Sequence, residues 1–363
     1  MQWIEDDIDR YASFYDTLKT HAPGFPTPAE LKARTFVGNI RQVGAMDKDT
    51  PGSDRIVEVL LDDKPGPVYL QAWGGTNTIA RALWTIQHEH PDQMERVARK
   101  AILYIILDQD KTFRHYIQPH WPDLQVLGSF RQFATIAYGW NKKIPADLHK
   151  HFDKVWMQDH ILEGHGPLCA RYEAHPKKGF RSEGDSPSFM HQIDVGLRSL
   201  EHPGYGGWGG RFVREEGTKS VWRGARDDGD LSKPIWRWAE AFQNDWAARA
   251  DWCVQPVAEA NHPPVAKVAG PLDRTVKPGE TVTLSAEGST DPDGDKLTYR
   301  WWHYNDVDTA PSTLAIADAT SATGARFVVP DEPGKTLHVI LEVTDAGEPP
   351  LTRYRRLIVT IGE

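Results

Sequence analysis

Apolar positions near the start of the chain fall on one side of a helix. Tyr11, Phe14, Tyr15 and Leu18 recur at three- and four-residue spacing, and Pro23 and Pro26 close the run, so a helix is predicted over 6–18. A short strand is predicted at 35–38. Ser53 then stands where an N-cap belongs, ahead of Ile56, Val57, Leu60 and Leu61. From residue 68 the apolar runs shorten to strand length, at 68–72, 101–107 and 124–127. They end in Trp73-Gly74-Gly75-Thr76-Asn77, Asp108-Gln109-Asp110 and Gly128-Ser129. Helices are expected after the first and third of these runs, over 78–88 and on to Tyr138. Alternating strands and helices of this kind predict a parallel α/β sheet with covering helices. Ligands of such sheets sit beyond the carboxyl ends of the strands, so the three stretches form a predicted rim. Asp108 and Asp110 either cap loops there or face a ligand. Asn77 either caps its helix or contacts the same ligand.

After about Trp252 the text changes. Asn261-His262-Pro263-Pro264 reads as a linker, and beyond it short alternating runs at 281–285, 297–302, 326–329, 337–343 and 355–361 are separated by turns. That pattern predicts an immunoglobulin-like β-sandwich. The chain of 363 residues therefore divides into an expected α/β domain at 1–258 and an all-β domain at 259–363. Trp301 and Trp302 are neighbours on one strand and point to opposite faces, one toward the core and the other toward the exterior. The acidic run at 291–295 is either a turn or an ion site; it lacks the spacing and distal Glu of an EF-hand, so the turn is favoured.

Composition narrows the partners. Lys and Arg total 42 against 51 Asp and Glu, a net charge of −9, which disfavours nucleic acid because phosphate binding needs a basic surface. No apolar run is long enough for a membrane span. The opening MQWIEDDIDRYASFYD has neither the basic nor the apolar region of a secretory signal. Cys169 and Cys253 are too few for a disulfide framework; buried thiols or one isolated bridge remain open. Fourteen tryptophans exceed what a core alone asks for, and the group Trp208, Trp222, Trp236 and Trp238 suggests sugar stacking beside packing.

The densest candidate chemistry lies in RSEGDSPSFMHQIDVGLRSLEHPGYGGWGGRF, residues 181–212. Glu183 and Asp185 flank a glycine, so a hard cation or a sugar hydroxyl is a fitting ligand. Glycines permit close backbone approach, and rings such as Trp208 offer flat faces to a carbohydrate. His191 lies six positions beyond Asp185 and is a further candidate for the same pocket.

AWGGTN, ILDQD, LGSF, EGDSPSF and HPGYGGWGGR together resemble the nucleoside-hydrolase-like domain of bacterial proteins described as cellulose-binding, and the all-β tail resembles the C-terminal domain those proteins carry. The resemblance implies a nucleoside-hydrolase-like open sheet plus the sandwich, a location outside the cytoplasm (secreted or periplasmic), and a calcium ion at the pocket floor. By that resemblance Asp185 would be the late aspartate ligand, and the backbone carbonyl of Trp73, ahead of the Gly-Gly turn, a second. The family's first strand and its Asp-rich loop should precede the helix over 6–18. Glu5, Asp6, Asp7 and Asp9 lack the strand before them and read as helix-start acids, so the chain looks N-terminally truncated and without the catalytic Asp cluster. An exposed sheet edge, weak folding and no hydrolase activity are expected to follow.

Two functions of different class follow. One is hydrolysis of a glycosidic or N-glycosidic bond by calcium-activated water, with Asn77, Asp108, Asp110, Glu183, His191 and Trp208 around the substrate. The other is non-catalytic binding of a polysaccharide such as cellulose. A sandwich that serves only as a spacer is the plainest third reading.

Overall fold

In the computed structural model, residues 1–173, 179–181 and 183–363 are described. The N-terminal helix is two: α1 (Gln2–Ala12) and α2 (Tyr15–His21). The break falls where Ser13 Oγ donates 2.7 Å to the Arg10 carbonyl and competes with the helix ladder. Phe14, buried there, packs in the same core cluster as Leu18. The early acids serve local pairs, Asp7 with Arg10 at 2.7 Å and Asp9 with Lys32 at 2.6 Å. Lys32 lies on α3 (Pro28–Ala33).

Residues 35–38 join no ladder, against the expected strand. Val37 instead accepts 2.8 Å from Gly52 N–H, and a Cβ on Gly38 would lie 2.6 Å from Thr78 Oγ1. The segment therefore straps the starts of α4 (Pro51–Leu61) and α5 (Asn77–Glu89). On α4 the N-cap is Thr50 rather than Ser53. The two hydroxyls close a reciprocal capping box, with Pro51 at the first helical position.

β1 (Val68–Ala72), β2 (Ala101–Ile105) and β3 (Gln125–Gly128) form a parallel set, with α6 (Met94–Lys100) leading directly into β2. β4 (Phe212–Arg214) and β5 (Val221–Gly224) complete the sheet in the order β1-β2-β3-β5-β4; β5 runs parallel to β3, and β4 antiparallel at the far edge. β1 is the other edge, and among the described residues no strand lies outside it. Helices α4 to α6 bury Leu60, Leu83 and Val97 against one face, where Leu103 and Val126 meet them. The other face carries Tyr104, Leu127, Phe133 and Phe212. The helix expected to run to Tyr138 shrinks to 3₁₀ turns, beginning with Gln132–Thr135. Gln132 is fully buried, and its amide donates to the Ala225 and Leu231 carbonyls, which ties this segment to a distant loop.

The C-terminal strands are β6 (Asp273–Val276), β7 (Thr281–Leu284), β8 (Thr298–His303), β9 (Ala325–Val328), β10 (Thr336–Thr344) and β11 (Thr352–Ile361). They make sheets β6-β11-β10-β8 and β7-β9, with Val282, Trp301, Phe327 and Leu341 between them. The expected strands are present, and β6 adds an unexpected parallel partner for β11. Asp291 Oδ1 accepts the N–H groups of Asp293 and Asp295, and Asp293 holds His262. Those carboxylates build a turn.

The α/β and all-β parts share a core. Of the adjacent pair, Trp301 takes the core side, and Trp302, on the opposite face, is half-buried on Trp238 with the Arg237 guanidinium 4.8 Å above its ring. Arg356, fully buried, donates to the carbonyls of Leu197 and Tyr205. Asp227, equally buried, accepts from Arg211 and Arg237 and from the Tyr304 hydroxyl at 2.7 Å. Both cysteines are free and buried.

Candidate functional site

The carboxyl ends of β1 to β3 release the three predicted rim stretches side by side. Asp110 stands between two of them. Its Oδ2 accepts 2.9 Å from Asn77 N–H at the start of α5, and its Oδ1 accepts from Thr112 N–H and, at 2.7 Å, the Thr112 hydroxyl. Asp110 thus caps α5 from another loop. Asn77 does not cap; its amide donates to the Asn39 and Ala45 carbonyls at 2.7 and 2.9 Å. Asp108 pairs with Arg114 through Oδ2, while its Oδ1 is buried without a partner among the described residues.

Helix α7 (Ser186–Met190) crosses the β1 end of this rim. Ser188 Oγ donates to the Asp185 carbonyl at 2.8 Å and accepts 2.6 Å from Trp73 Nε1. That bond fixes the indole plane. Trp73 remains 53% exposed and Phe189 44% exposed, with ring centroids 6.4 Å apart and planes tilted 59°. Two exposed rings at one rim form an apolar platform, the surface a sugar face prefers. Asp185 opens α7 without a side-chain capping bond, and burial raises its carboxyl above the usual range.

Calcium takes roughly six to eight oxygen ligands. The Trp73 carbonyl receives only a long contact, 3.5 Å, from the Gln109 amide. Both oxygens of Asp110 are occupied by protein donors, and one of Asp108 by Arg114. Among the described residues no three His, Cys, Asp or Glu side chains gather closely enough to hold an ion. The described residues therefore do not fit the calcium set that the resemblance implies.

Behind Phe189 lies a cavity of about 200 Å³. Phe152, Phe180, Tyr172 and Trp246 form its aromatic walls, and Trp246 lies on α8 (Ala239–Asp251). Tyr172 and Trp246 ring centroids are 4.9 Å apart, and Phe152 and Phe180 5.1 Å. Glu183 lines it near the Tyr172 hydroxyl, and desolvation, with the Asp185 charge adding, pushes the Glu183 carboxyl up. Trp208 is part of the wall but only 2% exposed, so it lines a cavity rather than offering an open platform.

His191 is not at the rim. It is buried against Tyr104, Phe212 and Tyr69, with centroids 5.7 to 6.1 Å away, and burial lowers its pKa to about 4. The glycine-rich stretch is likewise internal. A Cβ on Gly209 would meet the Pro187 carbonyl at 2.4 Å, and Gly210 needs a φ of +101°. These glycines serve packing against α7 and Gln132. Of the sequence candidates, the structure brings Trp73, Asn77, Asp108 and Asp110 to one rim and Glu183 and Trp208 to one cavity. Phe189, Tyr172 and Trp246 were missed; Phe189 lay inside EGDSPSF, where the acids drew attention.

Residues 1–212, more than half of the chain, match the family model described as cellulose-binding Sde182, nucleoside hydrolase-like domain. The chain belongs to this family. Residues 281–361 match the C-terminal domain of cellulose-binding protein Sde0182. A solved structure, described as a nucleoside hydrolase-related hypothetical protein from Saccharophagus degradans that is associated with carbohydrate metabolism, is similar over 99% of this chain and 88% of that chain. Its sequence identity is 31% and its TM-score 0.83. A PKD domain from the KIAA 1837 protein covers 27% of this chain and 87% of that chain at 20% identity and TM-score 0.21, too low to carry an argument. No curated protein matches the chain. Family membership agrees with the nucleoside-hydrolase-like sheet and the strand-rich C-terminal part. No helix among the described residues is long and apolar enough to cross a membrane.

Proposed function

We propose that this protein binds a polysaccharide such as cellulose, without cleaving it, by stacking sugar rings on Trp73 and Phe189. The observation that carries this reading is the exposed ring pair whose indole is held in place by Ser188. A ring already fixed loses little freedom when a sugar covers it, so its buried area is available for affinity. The family's cellulose-binding description supports the same ligand class, and such a ligand places the protein outside the cytoplasm. Adsorption to insoluble cellulose tests it: Trp73→Ala should weaken binding about tenfold, an amount equal to roughly 1.4 kcal/mol. Equal adsorption of wild type and variant would contradict the reading.

Hydrolysis of a glycosidic or N-glycosidic bond is the second reading. The nucleoside hydrolase-like family domain and the unpartnered buried oxygen of Asp108 at the end of β2 favour it. Release of ribose from nucleosides by the wild type would establish it over simple binding.

A further inference from the structure

Far from the rim, the linker residue Asn261 meets two loops of the all-β part, and three side chains there share one arrangement. Asp345, directly after β10, gathers its donors on one oxygen. Its Oδ1 accepts from Gly347 N–H at 3.1 Å, Leu351 N–H at 2.9 Å and the Asn261 amide at 3.1 Å. Asp291, ahead of β8, likewise takes the N–H groups of Asp293 and Asp295 on Oδ1, at 2.9 and 3.1 Å. Asn261 donates from Nδ2 to Asp345 and, at 2.8 Å, to the Pro349 carbonyl. In each side chain the other oxygen is left over. Asp345 Oδ2, Asp291 Oδ2 and Asn261 Oδ1 are buried and have no partner among the described residues.

The three belong to one place. Asn261 bonds Asp345 directly, and the next N–H, that of His262, donates 2.6 Å to Asp293 inside the Asp291 turn. Burial raises the Asp345 carboxyl, and the Asp291 charge adds to the rise. Asn261 and Asp345 are only 7% and 4% exposed, so bulk water does not solvate them. Buried polar atoms are as a rule bonded, and a buried carboxylate needs a positive partner. Neither carboxylate has a Lys or Arg partner among the described residues. Oxygen donors alone, with no nitrogen or sulfur among them, suit a hard cation.

We propose that Asn261, Asp291 and Asp345 hold a calcium ion through these three oxygens, with water and main-chain carbonyls completing a shell of about six to eight. The ion fastens the linker to both loops. Because Trp252, just past α8, donates 2.9 Å to the Asn261 carbonyl, it also steadies the α/β part against the all-β part. Nothing in this depends on what the rim binds. The full chain, treated with chelator and then titrated with calcium chloride in a calorimeter, should take up one ion at this site, and its thermal midpoint should rise with calcium concentration. Asp291→Asn and Asp345→Asn keep the Oδ1 acceptor and should each weaken calcium binding at least about tenfold. Asp185→Asn, at the rim, should leave it within about twofold.

The midpoints separate an ion site from acids that merely shape a turn. Without calcium, each Asn variant removes one of two neighbouring buried charges and should unfold no lower than wild type; with calcium, wild type should be the more stable. Variants less stable than wild type by the same amount with and without calcium would overturn the proposal. So would a wild type whose midpoint ignores calcium, or calcium binding that is lost in Asp185→Asn and kept in Asp291→Asn and Asp345→Asn.

Discussion

His191 shows how one side chain can look functional in sequence and be structural in space. It follows Asp185 closely, yet α7 turns it onto the sheet face, between Tyr69 and Tyr104, where Nδ1 finds no partner among the described residues. Burial lowers its pKa to about 4, so the fold holds the neutral form and the unfolded chain takes up the proton first, near 6.5. Its contribution is therefore intact above about pH 6.5 and is lost as pH falls toward 4, by up to ~3 kcal/mol. Urea midpoints measured at pH 7 and pH 5 should fall in wild type and fall less in His191→Phe. An equal fall in both would mean that His191 titrates normally. Asp110 teaches the same lesson: its residue type suited a ligand, but its oxygens cap α5 and hold Thr112. Sequence shows which donors and acceptors exist; long-range partners such as Asn77 for Asp110 appear only once the sheet has aligned its loops.

At the scale of elements, apolar runs were the legible signal. β1 appears at the predicted residues 68–72, and the strands near 101, 124 and 336 appear within a few residues, because period and length alone distinguish them. The failures have a common cause. Residues 35–38 look like a strand but are tied to helix starts, and the helix expected to reach Tyr138 yields to the buried Gln132 side chain. In both cases contacts with segments distant in sequence overrode a local preference. The glycines of HPGYGGWGGR were noticed for the wrong reason, since ligand approach and helix approach ask for the same missing Cβ. Gly209→Ala would push a methyl into the Pro187 carbonyl of α7 and the His191 backbone just past its end, at 2.4 and 2.6 Å. The expected cost is about 1–3 kcal/mol, seen as a lower thermal midpoint. An unchanged midpoint would show that α7 is free to shift.

For the whole molecule, the change to short alternating strands after about Trp252 was legible, but the bond between the α/β and all-β parts was not. That bond consists of groups that looked unremarkable in sequence: Arg356, Asp227, Arg237 and Tyr304. Asp227 is fully buried and balances Arg211 and Arg237, so Asp227→Ala leaves the buried Arg211 guanidinium without a carboxylate and Arg237 with only Asp306 at 3.8 Å, at a cost of about 3–5 kcal/mol. The wild type should unfold in one calorimetric transition, whereas Asp227→Ala should split it into two as the parts uncouple. A single, equally sharp transition in the variant would deny the coupling role.

The ligand's position tests the whole account most directly. A crystal structure with cellotetraose is predicted to place one pyranose ring against Trp73 and Phe189, with Asp110 still bonded to Asn77 and Thr112. Sugar bound instead to a metal ion between Asp108 and Asp185, with the Trp73 ring bare, would contradict it.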